Sequence, residues 1–71
     1  MKITNKEKAR QAVQLIADSI REYNRREARK VDAINNLALG MDAAAAYGVD
    51  VRISYDNGRD MLEAHFYNVE F

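Results

Sequence analysis

His65 is the only side chain with an ordinary acid–base role near neutral pH, and the chain has no cysteine. Period-two spacing puts Ser54 and Asp50 on the same strand face as His65, which supplies the residue types of a hydrolytic triad. A triad also needs a cleft and an oxyanion hole, and an exposed two-stranded ribbon offers neither. His65 therefore reads as a cross-strand partner, and the expectation is a protein that is not an enzyme. Asp56, Asp60 and Glu63 cluster around Asn57-Gly58. They lack the twelve-residue ligand loop that calcium sites of this kind require, so turn chemistry accounts for them. No cofactor motif occurs, and a single His excludes a multi-His metal site within one copy.

The other chemistry is charge. Residues 1–30 hold nine basic and four acidic side chains, and residues 31–71 hold two basic and seven acidic ones, so a formal net charge of zero conceals +5 against −5. The positive excess concentrates in Arg21, Arg25, Arg26, Arg29 and Lys30. On a helix, Arg21, Arg25 and Arg29 form one stripe flanked by the other two. Guanidinium forks suit carboxylates and phosphates, so this face is a candidate for an acidic protein or a nucleic-acid backbone. Asp18 and Glu22 lie at ion-pair spacing on the same surface, which is equally the pattern of a solvated helix. Tyr67 and Phe71 complete the candidate partner-binding set, because an aromatic with little core to fill is common at interfaces.

These residues need elements to hold them. Thr4-Asn5-Lys6-Glu7 has the form of a capping box with Thr4 as cap, and Ala9, Val13, Ile16, Ala17 and Ile20 follow at helical spacing. Asn24-Arg25-Arg26-Glu27 repeats the capping pattern. Val31, Ile34, Leu37, Ala38, Met41 and Ala45 then form a second stripe that ends at Gly48, a natural C-cap. Two arrangements satisfy this pattern: a helical hairpin reversing near Asn24, which is favoured, or one helix of roughly 60 Å that buries its stripe on another chain. Gly40 inside the second stripe is a candidate kink. Ala44 to Val49 carries helix-turn-helix spacing, but the residues that follow alternate as a strand, so the motif lacks its recognition helix.

Val49, Val51, Ile53 and Tyr55 alternate with Asp50, Arg52 and Ser54, and Asn57-Gly58 predicts a two-residue type I′ turn. That turn pairs Ile53 with Leu62, Val51 with Ala64, Val49 with Phe66, Arg52 with Glu63 and Asp50 with His65. The fold expected is a small single α+β domain over 1–71: two helices, or one long kinked helix, over about 5–47, then an antiparallel β-hairpin over about 49–71. A chain of 71 residues without disulfide or metal supports is expected to self-associate.

The function expected is a non-catalytic protein–protein interaction module acting as a homo-oligomer on an unidentified protein partner. Its size and style resemble the stoichiometric inhibitors and accessory factors of phages and mobile elements. The alternative is a nucleic-acid-binding regulator, a Cro-like dimer using the Arg21–Lys30 face. No apolar run approaches membrane-spanning length, so the expected setting is cytoplasmic, without a membrane partner.

Overall fold

The computed structural model describes residues 2–69. Two helices, α1 (Lys6–Arg25) and α2 (Lys30–Ala46), precede two strands, β1 (Val51–Asp56) and β2 (Met61–Phe66), which pair antiparallel. The fold is thus α+β, a helical hairpin followed by a β-hairpin, and the single long helix is excluded.

Residue Asn5, not Thr4, caps α1: its Oδ1 accepts from the Lys8 amide at 3.0 Å. Thr4 instead donates its backbone N–H to the Tyr47 carbonyl at 3.1 Å, which ties the N-terminal segment to the end of α2. Along α1, Ala9, Ala12, Ile16, Ser19, Ile20 and Tyr23 are buried at three-to-four spacing. Ser19 is tolerated there because its hydroxyl donates to the Leu15 carbonyl at 2.7 Å. The Asn24 capping box does not form. Asn24 lies inside α1, and the chain reverses at Arg26, whose φ of 56° places it in the left-handed region. The Glu27 amide closes the helix end on the Glu22 carbonyl at 3.0 Å. Asn24 spends its amide elsewhere: it donates to the Leu62 carbonyl at 2.8 Å and accepts from the Leu62 amide at 2.7 Å. One side chain thereby satisfies both backbone groups of a β2 residue and fastens the strand to α1.

Helix α2 runs unbroken through Gly40. It turns Ala33, Leu37, Gly40 and Ala44 inward. Of the stripe expected from periodicity, only Leu37 is buried; Val31 is 57% exposed and Ile34 49%. The reason is distance. A Cβ on Gly40 would stand 2.8 Å from Ile16 Cγ1 and 3.2 Å from the Ile16 backbone nitrogen, so α1 and α2 approach backbone to side chain over a small-residue face. No side chain fits at Gly40 itself, Leu37 is the one large residue on that face, and Val31 and Ile34 are left outside. After Tyr47, Gly48 takes φ 80° and the Val49 amide returns to the Ala44 carbonyl at 2.8 Å, ending the helix as expected.

The β-hairpin differs from the sequence expectation in its register. Val51 pairs with Phe66, Arg52 with His65, Ile53 with Ala64, Ser54 with Glu63 and Tyr55 with Leu62, around a loop of residues 57–60. Type I′ geometry needs positive φ at both Asn57 and Gly58, and neither has it; Asp60, at φ 52°, is the loop residue in the left-handed region. Asp56 organises the loop by accepting from the Gly58 and Arg59 amides at 3.0 and 3.2 Å. The shift is two residues, so both faces keep their composition. Ile53, Leu62, Ala64 and Phe66 still pack against the core built on Ile16, Ile20, Leu37 and Val49.

Candidate interaction surfaces

The five basic candidates gather where α1 gives way to α2, and the structure engages four of them. Arg21 pairs with Asp18 at 3.0 Å and with Glu27 at 3.5 Å. Arg29 pairs with Asp32 at 2.9 Å. Arg26 reaches Asp60 at 3.0 Å, and Lys30 pairs with the same carboxylate. Arg25 is exposed and has no such carboxylate partner among the described residues.

Asp60 is the centre of this end of the molecule. Its carboxylate accepts from the Tyr23 hydroxyl, from the Tyr55 hydroxyl at 2.8 Å, and from Arg26 and Lys30. The Arg26 guanidinium also lies over the Tyr23 ring, 5.4 Å from its centre, with the Lys30 ammonium at 5.8 Å. Arg26 further donates to the Tyr23 carbonyl at 2.7 Å and the Asp60 carbonyl at 3.2 Å. The hairpin loop is thus clasped onto the α1–α2 turn, and an acid from the negative half of the chain neutralises part of the positive half. Hydrogen bonds from Lys30 first, then from Tyr23 and Tyr55, hold the Asp60 carboxyl far below the usual carboxylate range. The same bonds to Asp60 raise the Tyr23 and Tyr55 phenols.

A carboxyl whose pKa is lowered by folding contributes stability above its unfolded pKa, near 4, and loses that contribution as pH falls toward the folded value. Asp60→Asn should therefore be less stable than the wild-type chain at pH 7, with the difference shrinking as pH drops below about 4. Urea midpoints at pH 7 and pH 3 measure this; an equal difference at both would remove Asp60 from the role.

Ser54 Oγ and His65 Nε2 lie 3.5 Å apart on the exposed outer face, and His65 stands opposite Arg52, not Asp50. The Asp50 amide is taken by the Asn68 side chain at 2.7 Å. The carboxylate beside His65 is Glu63, 3.9 Å from the same Nε2 that faces Ser54, so the carboxylate–imidazole–hydroxyl order of a triad is not formed. Tyr67 is 61% exposed, next to the backbone bond that its amide makes to the Asp50 carbonyl at 2.9 Å. Phe71 lies outside the described residues.

A surface that periodicity assigned to the core completes the inventory. Val31, Ile34 and Leu39 are three of the five large hydrophobic residues most exposed to solvent, and all three are on α2. Val31 and Ile34 adjoin on its outer side and stay exposed among the described residues, whereas Leu39 lies round the helix on the side of Asp32, Asn35, Asn36 and Asp42. The signal was present in the sequence: α2 carries more large apolar residues than one buried face can use. No helix is long and apolar enough to cross a membrane among the described residues. Comparisons with protein-family models, curated proteins and solved structures found no match for this chain.

Proposed function

We propose that this chain is a non-catalytic protein-interaction module that works as a homo-oligomer and docks on another protein, in the manner of a stoichiometric inhibitor or accessory factor. The observation that carries this reading is the exposed apolar side of α2, with Val31 57% and Ile34 49% exposed. Apolar rows of this kind are stabilised by removal from water, which a protein partner provides and a phosphate backbone does not. Its companion surface is the exposed Tyr67 beside the end of the β-hairpin.

The nucleic-acid alternative draws on the same basic end, but Arg21, Arg26, Arg29 and Lys30 already face carboxylates. Each would have to leave an ion pair to reach phosphate. Titration of the chain into labelled duplex and single-stranded DNA at low salt is the discriminating experiment. The expected result is no binding; binding that weakens steeply with added salt would replace the protein-docking reading with the nucleic-acid one.

A further inference from the structure

The outer side of α2 carries more than scattered apolar residues. Val31, Ile34, Ala38, Met41 and Ala45 follow one another at intervals of three, four, three and four; Met41, half-buried against the core, forms the edge of this row and the other four are exposed. That is the a/d spacing of a coiled-coil seam, narrower than the broad stripe of a helix packed on a globular core. The neighbouring face of α2 is already committed to α1 through Ala33, Leu37, Gly40 and Ala44. We propose that this seam packs antiparallel against α2 of a second copy, forming a two-fold dimer. The inference rests on the protein-interaction reading and specifies the surface that makes the oligomer.

Three observations favour a second copy in this orientation. First, the seam is self-complementary in size. Antiparallel packing places Ile34 against Ala38 of the partner subunit and Val31 against Met41 of the partner subunit, so bulky side chains meet small or flexible ones at every layer. Second, the carbonyl end of α2 lacks a cation. Arg29 and Lys30 at the start of the helix already pair with Asp32 and Asp60, whereas Asp42 lies near its end and no basic residue occupies the last turn. The dipole of α2 is therefore uncompensated at its carbonyl end. An antiparallel copy sets the amino end of one helix dipole beside the carbonyl end of the other; a parallel copy sets like ends beside like. Third, the core is thin: Ile16 and Ser19 are the largest fully buried side chains among the described residues. A small domain with so little buried volume gains from a second apolar surface. A two-fold axis closes the assembly, since each seam meets its own equivalent.

Light scattering on a sizing column over a concentration series, applied to the full chain, tests the proposal. Wild-type protein is expected to be dimeric in the micromolar range. Ile34→Glu buries a carboxylate at the seam and should weaken dimerisation on the order of 100-fold. Ile34 is 49% exposed within one copy, so the variant should retain its helical circular dichroism. Leu39→Glu, on α2 but off the seam, should leave the dimer intact.

Orientation is read from single cysteines in a chain that has none of its own. With a short bis-maleimide, Ala38→Cys should cross-link between copies. Ala45→Cys should not, because antiparallel packing carries those positions about 27 Å apart along the axis at 1.5 Å per residue. Equal cross-linking at both positions overturns the antiparallel arrangement. A dimer unaffected by Ile34→Glu overturns the α2 seam but leaves the homo-oligomer reading in place. A wild-type chain that stays monomeric at high micromolar concentration sinks that reading as well.

Discussion

Gly48→Ala is expected to remove most of the stability of this domain. Two penalties coincide at the position. The backbone sits at φ 80°, a region in which a Cβ costs about 1 kcal/mol relative to glycine. The added methyl would also overlap the Lys2 carbonyl oxygen, with the Lys2 carbonyl carbon at 2.7 Å and Ile3 Cα at 3.1 Å. These are backbone atoms, so no rotamer change relieves the clash. The N-terminal segment must lift, which breaks the Thr4 amide bond to the Tyr47 carbonyl and draws Ile3 off the core.

Overpacking of this kind adds about 1–3 kcal/mol, for a combined loss of about 2–4 kcal/mol. A core of this size supplies only about 3–5 kcal/mol. Urea unfolding checks the total. A cycle with a chain lacking residues 1–3 separates the parts, because in the shortened protein only the left-handed penalty should remain. A loss below about 0.5 kcal/mol in the full-length variant would show that the segment does not approach Gly48 closely.

The second large effect is expected at Gly40, and a graded pair of variants reads it. Gly40→Ala gains up to about 1 kcal/mol of helix propensity. Its Cβ meets Ile16 Cγ1 at 2.8 Å, which the side chain can partly avoid, and the Ile16 nitrogen at 3.2 Å, which it cannot. The net expectation is a loss of about 1 kcal/mol. Gly40→Val places two further methyls in the same gap and forces α1 and α2 apart along their whole contact. It should lose more than the domain's margin and expose apolar surface to a dye such as ANS while keeping much of its helical signal. A Gly40→Val protein with a wild-type unfolding midpoint would show that the helices do not touch there.

Both glycines show why part of this architecture was legible in the sequence and part was not. Gly48 was identifiable as a helix stop because the change from helical to alternating spacing falls there. Its closeness to Lys2, forty-six positions away, has no local signature. At Gly40 the propensity argument offered only a candidate kink, whereas the tertiary contact uses the glycine for the close approach of α1. The basic cluster was visible as a run of residue types, but its engagement by Asp60 was not. Asp60 lies thirty residues beyond Lys30, and nothing in its neighbourhood distinguishes it from an ordinary turn acid.

Local physics determined the element types, their order and the composition of each strand face, because capping, helical period, alternation and glycine positions act within a few residues. It also fixed the parity of the β-hairpin, since a two-residue shift in pairing returns every side chain to the same face. The tertiary structure decided among choices that local energies leave nearly equal. It selected the small-residue side of α2 for burial, since that side alone lets α1 approach to Gly40, and so placed Val31 and Ile34 outside. It turned Asn24 from a cap into a clamp on Leu62. It replaced the tight Asn57-Gly58 turn with a four-residue loop, in which Asp60 adopts a left-handed backbone where its carboxylate meets Tyr23, Tyr55, Arg26 and Lys30. Each of these depends on partners distant in the chain, whose contribution exceeds the local preference it displaces.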